Sequence, residues 1–526
     1  MWHYSQCNNT PYPIACKFKL SVFRKCVFSF TVWRGSGCER CFGSARLLSV
    51  AEAPSGVEAP SVVEAPSVAE APKQTFQLNP LTCHPIQLSM KKFLLITYYW
   101  PPAGGGGVMR WVKMTKYIRQ FGWEPVIYTP SNGETAAFDE SLAKEVAPDL
   151  QVVKTPIWEP YQLYKQFLGR KKEDKIYSGF INEGKKESLA QKISVFIRGN
   201  FFIPDARMFW IKPSIKYLSK YLQEHPVDAI VSTGPPHSMH LIAEGVHQAT
   251  GIPWIADFRD PWTNIDFYKD LQLTSWADAR HKKLEQKVLR NASRIVAASW
   301  RSRDEFIELC GRSDIEVIPN GFDDADFAHS TAATLDTDFS IAHIGSMNKD
   351  RNPDVFWQAV QAALAASSAL QQKLKIRLVG PTDFSVRESV TKYGLEQYTE
   401  FIDFVPHDAA VQYLQQSQVL LLLINNTPNA RTIIPGKLYE YLGSGRPLLA
   451  IGHADSDSAK VIGLTKGGAL HNYEDVEGLK ATILAFFAAF EAGKLNGSAE
   501  GIQQFTRRHL AGEFANLMGQ LSKSTK

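Results

Sequence analysis

From Lys91 onward the chain alternates short β-branched runs with helical stretches, and it does so in two successive series. "KFLLITYY", "PVIYT", "DAIVSTG", "WIADF" and "RIVAAS" make the first, and "FSIAHIGS", "KIRLVGP", "EFIDFV", "QVLLLLIN" and "PLLAIG" make the second. This alternation is the signature of βαβ units wound around a parallel sheet. The pattern predicts an α/β protein with two Rossmann-like parallel-sheet domains. Between the two series, "IEVIPNGFDDADF" (Ile315 to Phe327) carries turn chemistry in Pro319-Asn320-Gly321 and marks the boundary. Ligands of open α/β sheets bind beyond the carboxyl ends of the strands, so two halves on a short linker face each other across a cleft.

The first 89 residues read differently. They contain the imperfect repeat "VEAPSVVEAPSVAEAP" (Val57 to Pro72), whose Pro, Ala and Glu can bury little. The expected organisation is a disordered or non-native extension over 1–89, a first Rossmann-like domain over 90–325 and a second over 326–526. The final helices of the last domain are expected to pack back on the first. Six of the seven cysteines precede Met90, leaving only Cys310 in the main body. That distribution supplies no disulfide framework and fits a reducing, cytoplasmic compartment. Cys38-Glu-Arg-Cys41 has the spacing of half a zinc site, but no second pair completes it. No run reaches the roughly 18 apolar residues of a spanning helix, and a net charge of +5 over 526 residues does not ask for nucleic acid.

Motifs gather at the expected strand ends. "YYWPPAGGGGVMRW" sets Gly104, Gly105, Gly106 and Gly107 between a strand and a helix containing Arg110. Consecutive glycines let a backbone approach a ligand, and the following helix offers N–H groups to an anion; the bland alternative is a flexible turn. "STGPPHSMH" places His237 where it either caps a helix or faces the cleft. "ADFRDPW" brings Asp257, Arg259 and Asp260 to the sheet's edge as candidate catalytic residues that hold sugar hydroxyls, or as a structural ion-pair knot.

"HIGSMNKDRNP" supplies Gly345, Ser346, Lys349 and Arg351 as a diphosphate cradle, with solvated surface charge as the alternative. In "PGKLYEYLGSGRPLLAI" a helix starting near Pro435 puts Lys437 and Glu440 on one face. Lys437 is then aimed at phosphate and Glu440 at a ribose diol. Asp323-Asp324-Ala325-Asp326 reads as a solvated stretch of linker.

At these residues, from about Met90 to the C-terminus, the chain resembles a GT-B glycosyltransferase of the large retaining family called GT4. The resemblance is carried by the glycine loop, by "VIPNGFD", by "HIGSMNKDRNP" and by "PGKLYEYLGSGRPLLA" in that order. It implies that Glu440 binds the nucleotide ribose, and that Lys437 with Lys349 or Arg351 stabilises the donor diphosphate. The family's Glu–seven residues–Glu motif would put its first Glu, which meets the transferred sugar, at Thr432. Its usual Arg in the second domain's first loop is Ser346 here, which leaves the phosphate charge to Lys349, Arg351 or Lys437.

The implied reaction moves a sugar from a nucleoside diphosphate with retained configuration, with no metal or other cofactor. The implied acceptor is a glycan or a lipid-linked sugar in cell-surface polysaccharide synthesis. The insertion-like segment from Tyr161 to Tyr221, with "ISVFIRGNFFIPDARMFWIKP", mixes basic and aromatic residues in the manner of a surface that lies peripherally on an anionic membrane, with ordinary helix packing as the alternative. Two other readings stay open: a nucleotide-sugar 2-epimerase of the same fold, and a non-catalytic protein that binds nucleotide, glycan or a partner.

Overall fold

The computed structural model describes residues 29–33, 42–46, 90–135, 138–159, 189–328, 334–498 and 500–524. The chain divides into two compact units, Met1–Pro85 and Ile86–Lys526. In the first, strands β1 (Ser29–Trp33) and β2 (Phe42–Arg46) pair antiparallel, so the extension holds a two-stranded ribbon that its composition does not announce. The repeat at Val57 to Pro72, the Cys38–Cys41 pair and the start of the insertion (160–188) lie outside the described residues.

The second unit contains two parallel sheets. Strands β3 (Lys91–Ile96), β4 (Trp123–Pro130), β5 (Gln151–Thr155), β6 (Ala229–Gly234), β7 (Trp254–Phe258), β8 (Arg294–Ala297) and β9 (Ile315–Val317) form one in the order β5-β4-β3-β6-β7-β8-β9. Strands β10 (Phe339–Ile344), β11 (Leu374–Val379), β12 (Thr399–Ile402), β13 (Val419–Leu423), β14 (Leu448–Ile451) and β15 (Gly468–His471) form the other, ordered β12-β11-β10-β13-β14-β15. Both are doubly wound, with the winding reversing beside the first strand, at β3/β6 and at β10/β13. That reversal opens a crevice at the carboxyl edge of each sheet.

Alternation along each central strand explains why helices cover both faces. Phe93 and Leu95 point into one core with the helices Gly106–Ile118 and Arg507–Ser524. Leu94 and Ile96 point into the other with Met208–Glu224, Ser238–Thr250 and Ser275–Asn291. In the second sheet Ile341 faces the helices Asp354–Ala366 and Val476–Glu491. Ala342 and Ile344 face Gly436–Gly443 and Asp457–Thr465.

The last helix, though C-terminal, belongs to the first core: Leu510, Phe514, Met518 and Leu521 are buried against Trp111 and its neighbours. Burial of side chains this size stabilises by about 2 kcal/mol each, which fixes the helix to the first sheet. To reach it the chain crosses its own linker. Phe322 N–H donates to Phe505 O at 3.0 Å and Arg507 N–H to Phe322 O at 2.7 Å. Gly321 at the crossing has φ +67, and a Cβ there would run into the Phe505 carbonyl, so only glycine fits.

Candidate active site

Gly345 follows β10 with φ +123, and a Cβ on it would collide with Lys437 Nζ. The lysine is laid across the glycine's bare face, projecting from the helix Gly436–Gly443 that Pro435 starts. Arg351, from the turn Lys349–Arg351, reaches the same loop: its Nε donates to Asn425 Oδ1 at 2.7 Å and its Nη1 to Ser346 O at 3.5 Å. Neither cation has a carboxylate ion-pair partner among the described residues. Burial, reinforced by the Arg351 charge, pushes the Lys437 ammonium down to about 8. A half-buried pair of cations at a strand's carboxyl end, neither in ion-pair contact with a carboxylate, makes a setting that an anion would complete.

Glu440 sits one helical turn beyond Lys437, half-buried. Burial pushes its carboxyl up, while His407, Lys437 and Arg507 pull the other way. His407 opens the helix His407–Gln416 with Nε2 3.8 Å from Asp326 Oδ2, and that carboxylate pushes the imidazole's pKa up against burial. Behind the loop, His343 donates from Nδ1 to Leu421 O at 3.0 Å, leaving a buried Nε2 with no partner. Burial holds this ring neutral, with its pKa at about 3. Lys349 is exposed and Ser346 half-buried on the same loop. Thr432, expected on the donor, is instead buried and donates its hydroxyl to Asn429 O at 2.7 Å, which closes a local turn and takes it out of the crevice.

The first sheet's edge departs further from expectation. Asp257 and Arg110, read as a catalytic and a donor-binding residue, are both fully buried and joined to each other: Arg110 Nη2 donates to Asp257 Oδ1 at 2.9 Å and Nε to Oδ2 at 3.2 Å. Trp111 Nε1 at 2.8 Å and Thr233 Oγ1 at 2.9 Å complete the carboxylate's shell. Arg110 also donates to Ile318 O and Pro319 O, at 2.8 and 2.7 Å. The pair therefore bolts the glycine-loop helix and β7 to the start of the linker, and no oxygen of Asp257 is left for a sugar.

Arg259 is likewise occupied, donating to the carbonyls of Gly234, Gly107 and Pro235. It ties the Gly104–Gly107 loop to the end of β6. Gly105, with φ +101, caps the helix that Gly106 opens. Asp260 stands exposed beyond β7. His237 stands at the N-cap position of the helix Ser238–Thr250, but its side chain makes no capping bond, and Ser238 N–H is taken by Asp205 Oδ2 at 2.9 Å. Its ring stacks on Trp262 with centroids 4.6 Å apart.

The linker aspartates are not solvated as expected. Asp323 is buried and receives Lys116 at 2.8 Å, Lys113 at 3.1 Å and the Tyr117 hydroxyl. Against the burial that pushes it up, the hydrogen bonds from Lys116 and Tyr117 and the charge of Lys113 hold its carboxyl at about 2. Asp326 takes Lys113 at 2.8 Å. Local composition signalled exposure, whereas the lysines that neutralise this stretch come from a helix some two hundred residues earlier.

Ile193, Phe196, Ile197 and Phe201 of the helix Leu189–Phe201 are exposed, as are Trp158 and Phe209, whose rings meet at 4.7 Å. The helix is pinned beside the loop that follows β7, with Asn200 Nδ2 donating to Gln272 O at 3.1 Å. Among the described residues no helix is long and apolar enough to cross a membrane.

Residues 180–326 match the family model Glycosyltransferase Family 4. Among solved structures, the sucrose-phosphate synthase of Thermosynechococcus elongatus aligns over 82% of this chain and 100% of its own, with 13% identity and a TM-score of 0.51. A glycosyltransferase from Rickettsia africae aligns over 83% and 99%, with 13% identity and a TM-score of 0.52. An α,α-trehalose-phosphate synthase from Burkholderia xenovorans, solved with glucose-6-phosphate, aligns over 82% and 99%, with 10% identity and a TM-score of 0.50. A search of curated protein sequences gave no significant match. The two doubly wound sheets and the family match together bear out the resemblance to GT-B, family-4-type glycosyltransferases.

Proposed function

We propose that this protein is a retaining glycosyltransferase, moving a hexosyl-type sugar from a nucleoside-diphosphate donor to a glycan or lipid-linked acceptor in cell-surface polysaccharide synthesis. The observation that carries the reading is the pair Lys437 and Arg351 beside Gly345, neither in ion-pair contact with a carboxylate, with Glu440 one turn away on the same helix. A diphosphate supplies the missing negative charge, and its ribose presents a diol to Glu440. As the bond from the anomeric carbon to the phosphate oxygen breaks, the departing diphosphate keeps the electron pair. Lys437, Arg351 and the loop's N–H groups stabilise that charge, and the reading calls for no metal. The acceptor oxygen bonds to the same face of the sugar and passes its proton to the leaving phosphate.

The exposed aromatic and aliphatic side chains around Phe201 and Trp158, with Lys192, Arg198, Lys212 and Lys216 interspersed in sequence, support a cytoplasmic protein resting peripherally on an anionic membrane, where a lipid-linked acceptor is presented.

Calorimetric titration of the folded chain with UDP, GDP and CMP tests the donor site. One diphosphate nucleotide is expected to bind selectively, and Lys437→Ala to weaken it. Absence of binding by all three removes the foundation of the reading.

A further inference from the structure

The loop 425–435 has a donor-site group at each end. Asn425 Oδ1 receives Arg351 Nε at 2.7 Å, and Pro435 starts the helix that carries Lys437 and Glu440. Its middle is held from outside. Arg431 Nε donates to Asp455 Oδ1 and Oδ2, both at 3.0 Å. The Arg431 carbonyl accepts from Asp457 N–H at 2.9 Å, and the Ile433 carbonyl from Ser458 Oγ at 2.8 Å. Asp455 and Asp457 lie where the chain has left β14 and enters the helix Asp457–Thr465, at the carboxyl edge of the second sheet.

The same two aspartates are gripped from the first sheet. There the helix Trp300–Cys310 follows β8, capped by Ser299, whose Oγ accepts from Ser302 N–H at 3.3 Å. Arg301, in its first turn, donates its backbone N–H to Asp457 Oδ2 at 2.8 Å, and its Nη2 to Asp455 O at 2.6 Å and Oδ2 at 3.2 Å. Beside it Lys460 Nζ stands 4.1 Å from the centre of the Trp300 ring, and Trp300 packs on the second sheet's core. Four residues therefore close a ring: Arg301 to Asp457, Asp457 to Arg431, Arg431 to Asp455, and Asp455 back to Arg301. A lone exposed ion pair holds little, because solvent screens it and two long side chains lose freedom; several charges in one network are the exception. This network is also anchored. Asp457 is 4% exposed, and it meets an N–H of a helix's first turn, a donor that has no acceptor within its own helix.

We propose that Arg301 is a positioning residue for the donor site, the first-sheet member of a clasp that fixes the loop 425–435 and, through it, the spacing between Arg351 and the Lys437 helix. The inference rests on the donor-site reading above and goes beyond it: a diphosphate site made of second-sheet residues is held in register by a residue of the first. Donor binding and the seating of the two sheets on each other are then linked, and each favours the other by the same factor.

Arg301→Ala and Asp455→Ala, made singly and together in the full chain, test this with two readouts. One is hydrogen–deuterium exchange of peptides covering 425–435 without ligand. The other is calorimetric titration with whichever diphosphate nucleotide the wild type binds. Each single variant is expected to melt like wild type, to exchange these amides faster, and to bind nucleotide about threefold more weakly. Arg301→Ala is expected to cost less affinity in the Asp455→Ala background than in wild type, since the ring is already open. Arg301→Lys, which keeps the charge but not the planar fork, should fall between Arg301→Ala and wild type. Unchanged exchange in both single variants overturns the clasp. Faster exchange with wild-type affinity overturns the positioning role, as do losses that simply multiply in the double variant. A wild type that binds no nucleotide overturns the donor-site reading itself, a result distinct from an Arg301 variant that binds normally.

Discussion

Replacing Asp257 by Ala separates a structural carboxylate from a catalytic one. The substitution removes the acceptor of four hydrogen bonds, at 3.2 and 2.9 Å from Arg110, 2.8 Å from Trp111 and 2.9 Å from Thr233, in a place with no solvent access. Breaking a buried ion pair from one side costs about 3–5 kcal/mol, since the other charge stays buried. The Ile318 and Pro319 carbonyls still hold Arg110, which places the expected loss nearer about 3 kcal/mol. At roughly 2–4 °C per kcal/mol for a domain of this size, calorimetric melting of the first domain should drop by about 10 °C.

The effect also has a pH signature. Against burial, the Arg110 charge holds the Asp257 carboxyl below its usual range, so the folded pKa lies under the unfolded one. The pair's contribution is then fully present above about pH 4 and disappears as the pH falls through the depressed folded value. Nucleotide affinity of the folded variant at 15 °C or so should be close to wild type, because Asp257 has no access to the crevice. A variant that melts like wild type yet has lost transfer would refute this reasoning and return Asp257 to the catalytic role.

Lys437→Ala should leave the melting temperature near wild type and weaken diphosphate binding by about tenfold or more, read by calorimetry. In the wild type, affinity should decline as the pH rises through about 8, where the free protein's Lys437 loses its proton. Gly345→Ala should disable the same site, because its methyl group occupies the position of the lysine's ammonium; unchanged binding would show that the lysine has another seat. Asp323→Asn should cost stability that is lost in wild type only as the pH falls from about 4 towards the carboxyl's folded value of about 2, checked by urea denaturation against pH. Trp158→Ser with Phe201→Ser should reduce sedimentation with phosphatidylglycerol vesicles while sparing nucleotide binding, and equal sedimentation would count against the membrane surface.

The strands legible in sequence were mostly those with a buried run, β3, β4, β6, β7 and β8 in the first sheet and β10, β11, β13 and β14 in the second; the edge strand β12 was also legible, from its apolar composition, although it is only partly buried. The three missed, β5, β9 and β15, are short edge or near-edge strands such as "IEV" and "GALH", whose partial burial leaves little hydrophobic signal. The site divides along the same physical line. Gly345, Arg351, Lys437 and Glu440 could be placed together because each lies within a few residues of a strand end or on one helical face. His407 could not, since nothing local marks a histidine after "FVP" as a neighbour of Glu440.

What the sequence by itself determined is the alternation that winds two parallel sheets, and with it the crevices at their carboxyl edges, because strand burial and helix crossover are written in local periodicity. Whether a charged residue at such an edge meets a ligand or another residue was decided only by the tertiary structure. Asp257 lies at an edge and is consumed by Arg110, Asp323 lies in a polar linker and is consumed by Lys113 and Lys116, and Lys437 lies across Gly345 with no carboxylate in ion-pair contact. Pairing of charges depends on distances between segments far apart in the chain, and those distances exist only once the chain has folded.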